Sequence, residues 1–148
     1  MSEIQNLQGV LKSKSYSFTL PRQLVFEVLL NAKPMSMAQL IKALEGKMDR
    51  ASVYRTAELF ENLGVVHRVN TGWKYKLELS DMFIGHHHHL HCSKCGKIES
   101  LAGSPMLEIM IDKVAASSDF SPRHHQLEVY GLCLACSKSQ SSEAKALH

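Results

Sequence analysis

Apolar residues recur at two different spacings along the chain, and the change of spacing marks out its parts. In "RQLVFEVLLNA" (22–32), Leu24, Val25, Val28 and Leu29 fall at helical intervals, and Thr19-Leu20-Pro21-Arg22 ahead of them reads as a helix start. The stop is expected before Pro34. Ser36 with Gln39 makes a capping box and Met35 with Leu40 a hydrophobic staple, so a second helix should run to about Glu45, ahead of Gly46. Asp49 can cap a third, "RASVYRTAELFENL", ending at Gly64. Its inward stripe is Val53, Ala57 and Phe60, which leaves Ser52, Tyr54, Arg55, Glu58 and Asn62 outward.

The period then falls to two. "VVHRV" and "WKYKLEL" flank Asn70-Thr71-Gly72, with Trp73, Tyr75, Leu77 and Leu79 alternating against Lys74, Lys76 and Glu78. This predicts a β-hairpin with one basic edge. A two-residue turn at Thr71-Gly72 pairs Val65 with Glu78 and sets His67 on the face of Glu78, whereas a three-residue turn sets the two on opposite faces; the first is preferred. Three helices and a ribbon is the order of a winged helix-turn-helix, whose third helix enters the DNA major groove. Residues 1–80 are therefore read as a DNA-binding domain and 81–85 as a hinge. In 86–138, a strand at 86–92, a short strand "KIESL", a helix from Ser104-Pro105 and a strand "HHQLEVYG" make a small α/β domain. Leu107, Met110, Ile111 and Val114 form that helix's apolar face, and residues 139–148 read as a flexible polar tail. The class expected is α+β.

Charge sharpens the division. The chain carries +3 overall, but residues 1–80 hold eleven Lys/Arg against seven Asp/Glu, and residues 81–148 six against seven. Eight of nine histidines lie after residue 80 and all four cysteines after residue 90. A basic front suits a polyanion, and a Cys/His-rich back suits metal. With no apolar run of membrane-spanning length and no apolar centre in "MSEIQNLQGVLKSKSY", the expected location is the cytoplasm, with no membrane partner.

Cys92-x-x-Cys95 and Cys133-x-x-Cys136 use every cysteine. Two such turns present four thiolates to one tetrahedral Zn²⁺, a closed structural site that replaces missing core in a domain of this size. Disulfides suit a reducing compartment poorly, and a redox Cys-x-x-Cys does not account for two pairs. The run "HHHH" at 86–89 leads directly into the first pair. On a strand, His86 and His88 face one way and His87 and His89 the other, so the run can serve two sites. Partners on composition are His67, Glu78, Asp81, Glu99, Glu108, His124, His125 and Glu128. A polar edge strand without metal is the alternative. Imidazole with carboxylate accepts Zn²⁺, Fe²⁺, Mn²⁺ or Ni²⁺.

Together, "TLPR" (19–22), "ASVYRTAELFENLGVV" (51–66), "HHHHLHCSKCGKIESL" (86–101) and "HHQLEVYGLCLAC" (124–136) resemble the ferric uptake regulator family over roughly residues 8–137. The resemblance implies a homodimeric, metal-responsive repressor of metal-uptake genes that binds double-stranded operator DNA. Its back half would be the dimerisation domain. It implies structural zinc on Cys92, Cys95, Cys133 and Cys136, and a regulatory hinge site of Zn²⁺ or Fe²⁺ to which Glu78, His87 and His89 contribute. A further site would use His86, His88, Glu108 and His125. Iron-type members often place a histidine where this chain has Pro34; His67, where some zinc regulators place an acidic ligand, is assigned as the fourth hinge ligand. Ser100 also stands where the iron type is often acidic, with Glu99 one place early. Both departures tilt the reading toward zinc. For DNA, the resemblance implies contacts by Tyr54 and Arg55 with Ser52 beside them, and by Arg22 to a phosphate; Lys74 and Lys76 of the hairpin can add more.

An enzyme is not expected. The His-x-Glu and Pro-Cys-x-x-Cys pattern of zinc deaminases is missing, as are a nucleophile elbow and a phosphate loop, and no small-molecule substrate is implied. The competing readings are an iron or peroxide sensor within the same family, or a metal-storage or chaperone module that binds no DNA.

Overall fold

Three helices in the first half of the chain start on side-chain caps. α1 (Glu3–Ser13) is closed by a Ser2/Gln5 capping box and α3 (Met37–Ala43) by the Ser36/Gln39 box. α4 (Arg50–Asn62) begins at Asp49, whose carboxylate accepts from the Ser52 amide at 2.9 Å. α2 (Leu20–Leu30) has Pro21 in its first turn instead. The structure is a computed structural model that describes residues 2–145, and the chain divides after Gly85 into two units.

In the first unit, Val25, Phe26, Leu29, Leu40, Val53, Ala57 and Phe60 are buried together, so the stripe expected on α4 does face the core. The α4 helix ends as the sequence suggests: the Val65 amide donates to the Phe60 carbonyl at 2.8 Å and the Gly64 amide to that of Glu61 at 3.0 Å. α1 is an addition to the expected elements. Its Leu7 and Leu11, one turn apart, are fully buried against the same core.

β1 (Val66–Thr71) and β2 (Lys74–Leu79) pair antiparallel, with Thr71 opposite Lys74 and His67 opposite Glu78. The two-residue loop is thus Gly72-Trp73, one residue later than the expected Thr71-Gly72, with Gly72 at φ +77°. The correction moves each pairing by two residues, and since strand faces repeat every two, His67 still shares the face of Glu78. Trp73 leaves the alternating strand face and stands fully exposed at the tip. A two-bond bridge from Met35 to Leu77 (3.1 and 2.7 Å) ties the segment before α3 to β2. The expected hinge is not plain linker: α5 (Asp81–Ile84) is one helical turn, and its Phe83 packs edge-on against Phe26 at 5.0 Å between centroids.

The second unit is a three-stranded sheet in the order β4-β3-β5, from β3 (His87–Cys92), β4 (Ile98–Ala102) and β5 (Glu128–Gly131). β3 is antiparallel to β4 and parallel to β5. β5 is shorter than the expected 124–131 because only Glu128–Gly131 align with His89–Cys92, leaving His124 and His125 ahead of the strand. α6 (Pro105–Ala116) has no buried residue: Leu107 and Ile111 are half-buried, while Met106, Ile109, Met110 and Val114 are exposed. The apolar stripe expected on this helix is therefore split. α7 (Leu134–Lys145) occupies most of the stretch read as a tail, since "LACSKSQSSEAK" holds no Gly or Pro to stop it; residues 146–148 lie outside the described residues. Among the described residues, no helix is long and apolar enough to cross a membrane.

Candidate metal centres and nucleic-acid face

The two Cys-x-x-Cys turns converge. Cys92 ends β3, the Gly96 amide returns to its carbonyl at 2.9 Å, and Ser93 is tied to the end of β5 through the Gly131 carbonyl at 2.8 Å. Cys133 immediately precedes α7 and Cys136 lies in its first turn. The four sulfurs all lie within 4.8 Å of one another, with Cys95 and Cys133 at 3.8 Å, and all four thiols are free of disulfides. N–H groups of Cys133 and Cys95 draw the Cys92 thiol down to about 6, while hydrogen bonding to Cys133 pushes the Cys136 thiol up to about 12. One sulfur thus carries charge at neutral pH and another resists it, and a tetrahedral cation is what four crowded sulfurs need to ionise together. The cluster fits a structural zinc site.

A second cluster gathers around Glu108, in the first turn of α6. Its Oε1 lies 3.0 Å from His88 Nε2, and its Oε2 lies 3.0 Å from His125 Nε2 and 3.6 Å from His86 Nε2. His86 and His125 approach to 3.2 Å between their Nε2 atoms. His88 is fully buried, and its Nδ1 has no hydrogen-bond partner among the described residues. Gly103 makes the approach possible, because a Cβ there would stand 3.3 Å from the His86 carbonyl and 3.6 Å from Glu108 Oε1. Three imidazoles and a carboxylate with their donor atoms within 4.8 Å suit a borderline divalent cation.

The residues expected at the hinge form two pairs. In the first unit, His67 Nε2 stands 3.3 Å from Glu78 Oε2, which is buried. In the second, His87 and His89 share one face of β3, ring centroids 4.8 Å apart. The alternation inferred for the histidine run is therefore real within β3. Of the other candidates, Glu99 pairs with Lys97 at 2.5 Å and Glu128 accepts from the Tyr130 hydroxyl at 2.5 Å. His91 was absent from the expected set. It lies two residues beyond His89 on the same face, buried, and stacks on Tyr130 at 4.7 Å. The period-two spacing after His87 and His89 is the signal that points to it.

On the outer side of the first unit, Arg22, Ser52 and Arg55 line one cleft of about 260 Å³ together with Thr19. Arg22 donates to the Ser17 carbonyl and sits over the Tyr16 ring at 5.4 Å. Arg55 Nη2 donates to Ser52 Oγ at 2.9 Å, and Ser52 Oγ donates to Asp49 at 2.6 Å. Tyr54 is exposed on the same helix, with the Arg50 guanidinium over its ring at 5.8 Å. Lys74 is exposed near the hairpin tip and Lys76 half-buried.

Comparison with known proteins bears on this arrangement. The model of the family described as "Ferric uptake regulator family" matches residues 13–130. The chain belongs to the ferric uptake regulator family. It is 32% identical over 143 residues to the peroxide operon regulator of Bacillus subtilis, covering 94% of this chain and 97% of that protein. It is 35% identical over 132 residues to the ferric uptake regulation protein of Legionella pneumophila, covering 85% and 95%. Among solved structures, it resembles the manganese-bound ferric uptake regulator of Pseudomonas aeruginosa at TM-score 0.71 and 26% identity, covering 90% and 99%.

Ferric uptake regulator family members are DNA-binding, metal-binding transcription regulators and not enzymes, and they are generally dimeric. In this chain the buried Pro34 stands next to Met35, the residue bridged to β2, and His67 lies on β1.

Proposed function

We propose that this chain is a homodimeric, metal-responsive repressor of metal-uptake or homeostasis genes in the cytoplasm. In this reading its affinity for double-stranded operator DNA rises when His67, Glu78, His87 and His89 share one divalent cation. The observation that carries the reading is the pair of preset donor pairs. His67 and Glu78 are adjacent across the hairpin, and His87 and His89 lie side by side on β3. A bound cation would supply the single charge centre that all four donors can share. His67 and Glu78 belong to the wing, and His87 and His89 to the sheet of the second unit, so sharing narrows the range of angles open to the two. Tyr54, Arg55 and Ser52 of two copies then meet successive major grooves at less entropic cost, while Arg22, Lys74 and Lys76 neutralise phosphates.

The second copy is the natural partner for the exposed apolar residues of the back half. Met106, Ile109, Met110 and Val114 on α6 and Val129 on β5 are too apolar and too numerous for a monomer's solvent face. Cys92, Cys95, Cys133 and Cys136 hold structural zinc, and His86, His88, Glu108 and His125 hold an additional ion. A hinge ligand at 67 and none at 34 departs from the iron-type pattern and tilts the reading toward Zn²⁺, although Fe²⁺, Mn²⁺ and Ni²⁺ suit the same donors.

Thermodynamic linkage supplies the test. Duplexes would be selected from a random pool by the zinc-loaded protein, and Zn²⁺ affinity measured with and without a selected duplex. DNA should tighten the hinge ion by roughly 5- to 150-fold, the usual range of allosteric coupling. Equal affinities would refute the switch.

The likeness to the Bacillus peroxide regulator favours a second reading, in which Fe²⁺ at the same ligands directs peroxide to oxidise one of them. Mass spectrometry of the Fe²⁺-loaded protein after peroxide treatment separates the two. One added oxygen on a ligand histidine supports peroxide sensing, and an unmodified chain supports metal sensing.

A further inference from the structure

Arg50 opens α4 and is exposed in its first turn. In a winged helix, the first turns of the third helix meet the base edges. The cationic groups here differ in what they have left to offer. Arg55 already donates to Ser52, whose hydroxyl is in turn held by Asp49 at 2.6 Å. Arg50 instead rests its guanidinium 5.8 Å from the centre of the Tyr54 ring, one turn further along. An aromatic ring attracts the positive charge but offers no lone pair, so the guanidinium's in-plane N–H fork still wants acceptors. Two acceptors side by side, at the spacing of that fork, are what the O6 and N7 atoms of guanine present in the major groove. Tyr54 cannot satisfy both, having a single hydroxyl.

We infer that Arg50 is a specificity-determining residue that reads a guanine in each half-site, with Tyr54 as the aromatic seat that orients it. This rests on the reading of the chain as an operator-binding regulator and adds the base it selects. Lysine would keep the charge but lose the planar fork, so the inference separates charge from shape.

The test is duplex selection from a random pool by the full-length protein, run in parallel with Zn²⁺ and with Mn²⁺, for wild type, Arg50→Ala, Arg50→Lys and Tyr54→Phe. Wild type should select sites with a fixed guanine in each half. Arg50→Ala and Arg50→Lys should both lose that preference, by roughly 5- to 150-fold against the other bases, and keep the rest of the site. Tyr54→Phe keeps the ring and should keep the guanine. Thermal unfolding of each variant checks that the exposed substitutions leave the fold intact. If Arg50→Ala selects an unchanged site and only lowers the salt dependence by about one charge, Arg50 touches phosphate and the inference is wrong. If Arg50→Lys retains the guanine, charge alone suffices and the fork argument fails. If wild type enriches no duplex with either metal, the operator-binding reading itself falls, and Arg50's role with it.

Discussion

His67 and Glu78 face each other directly across the β1–β2 hairpin, Nε2 3.3 Å from Oε2. The two atoms stand close enough for one divalent ion to take both, as the proposed hinge site requires. His67→Ala and Glu78→Gln should each weaken the regulatory ion by at least about tenfold and leave the cysteine-bound zinc in place. Calorimetric titration of zinc-loaded protein, with elemental analysis alongside, measures both. Unchanged affinity in His67→Ala would return the fourth ligand to another residue.

The cysteine cluster predicts opposite pH responses for two thiols of the zinc-free protein. Cys92, drawn down to about 6, contributes stability that is complete above the ordinary thiol value of 9.0 and is lost as pH falls through about 6. Cys136, pushed up to about 12, contributes stability that is complete below 9.0 and is lost as pH rises through about 12. Thiolate absorbance should therefore begin to rise near pH 6 and finish near 12, and Cys92→Ser should remove the first step. A single step near 9 would contradict the assignment. Chelation of the zinc should lower the unfolding temperature of the second unit, while the first unit, with its own core, keeps its own.

Gly103 tests the additional site without touching a ligand. A methyl group there presses on the His86 carbonyl at 3.3 Å, so Gly103→Ala should loosen any ion that the proposed site of His86, His88, Glu108 and His125 takes up. Glu108→Gln should remove that ion. Occupancy by elemental analysis is the readout, and a Gly103→Ala protein with full occupancy would mean that the backbone gives way freely.

α1 belongs to the first unit's core. Leu7→Ala and Leu11→Ala, both at fully buried positions, should each cost about 2–5 kcal/mol in urea unfolding. A loss below about 1 kcal/mol would mean the helix is only laid on the surface.

Val114→Asp, on the exposed face of α6, should yield a monomer by sedimentation and leave the metal content per chain unchanged. A persistent dimer would assign the interface to other residues.

Much of this was legible in the chain because capping is local. Ser36 with Gln39, Asp49 with Ser52, and Gly64 after "FENL" name their own helix ends, and four cysteines in two spaced pairs name one cluster. α1 is legible by the same signs, since Ile4, Leu7 and Leu11 recur at helical spacing behind the Ser2/Gln5 box; only what they meet is set by tertiary packing. The expected hairpin loop differs by one residue because Gly72 can be the second residue of a Thr71-Gly72 turn or the first of a Gly72-Trp73 turn, and the chain takes the latter. Arg50, four residues before Tyr54, and His91, two after His89, stand at legible spacings, but the ring that each rests on, Tyr54 or Tyr130, is seen only in the folded chain.

The short strand β3 has one further consequence. Its histidines differ in destination only by parity, and its last residue, Cys92, is anchored among the sulfurs. That anchor fixes the phase of everything upstream. Deleting Leu90, or inserting one residue between His89 and Cys92, would leave four histidines in place yet turn each to the opposite face of the strand. A lineage of such proteins can vary or lose an imidazole of the run, but changing the run's distance to Cys92 by one residue trades the two faces.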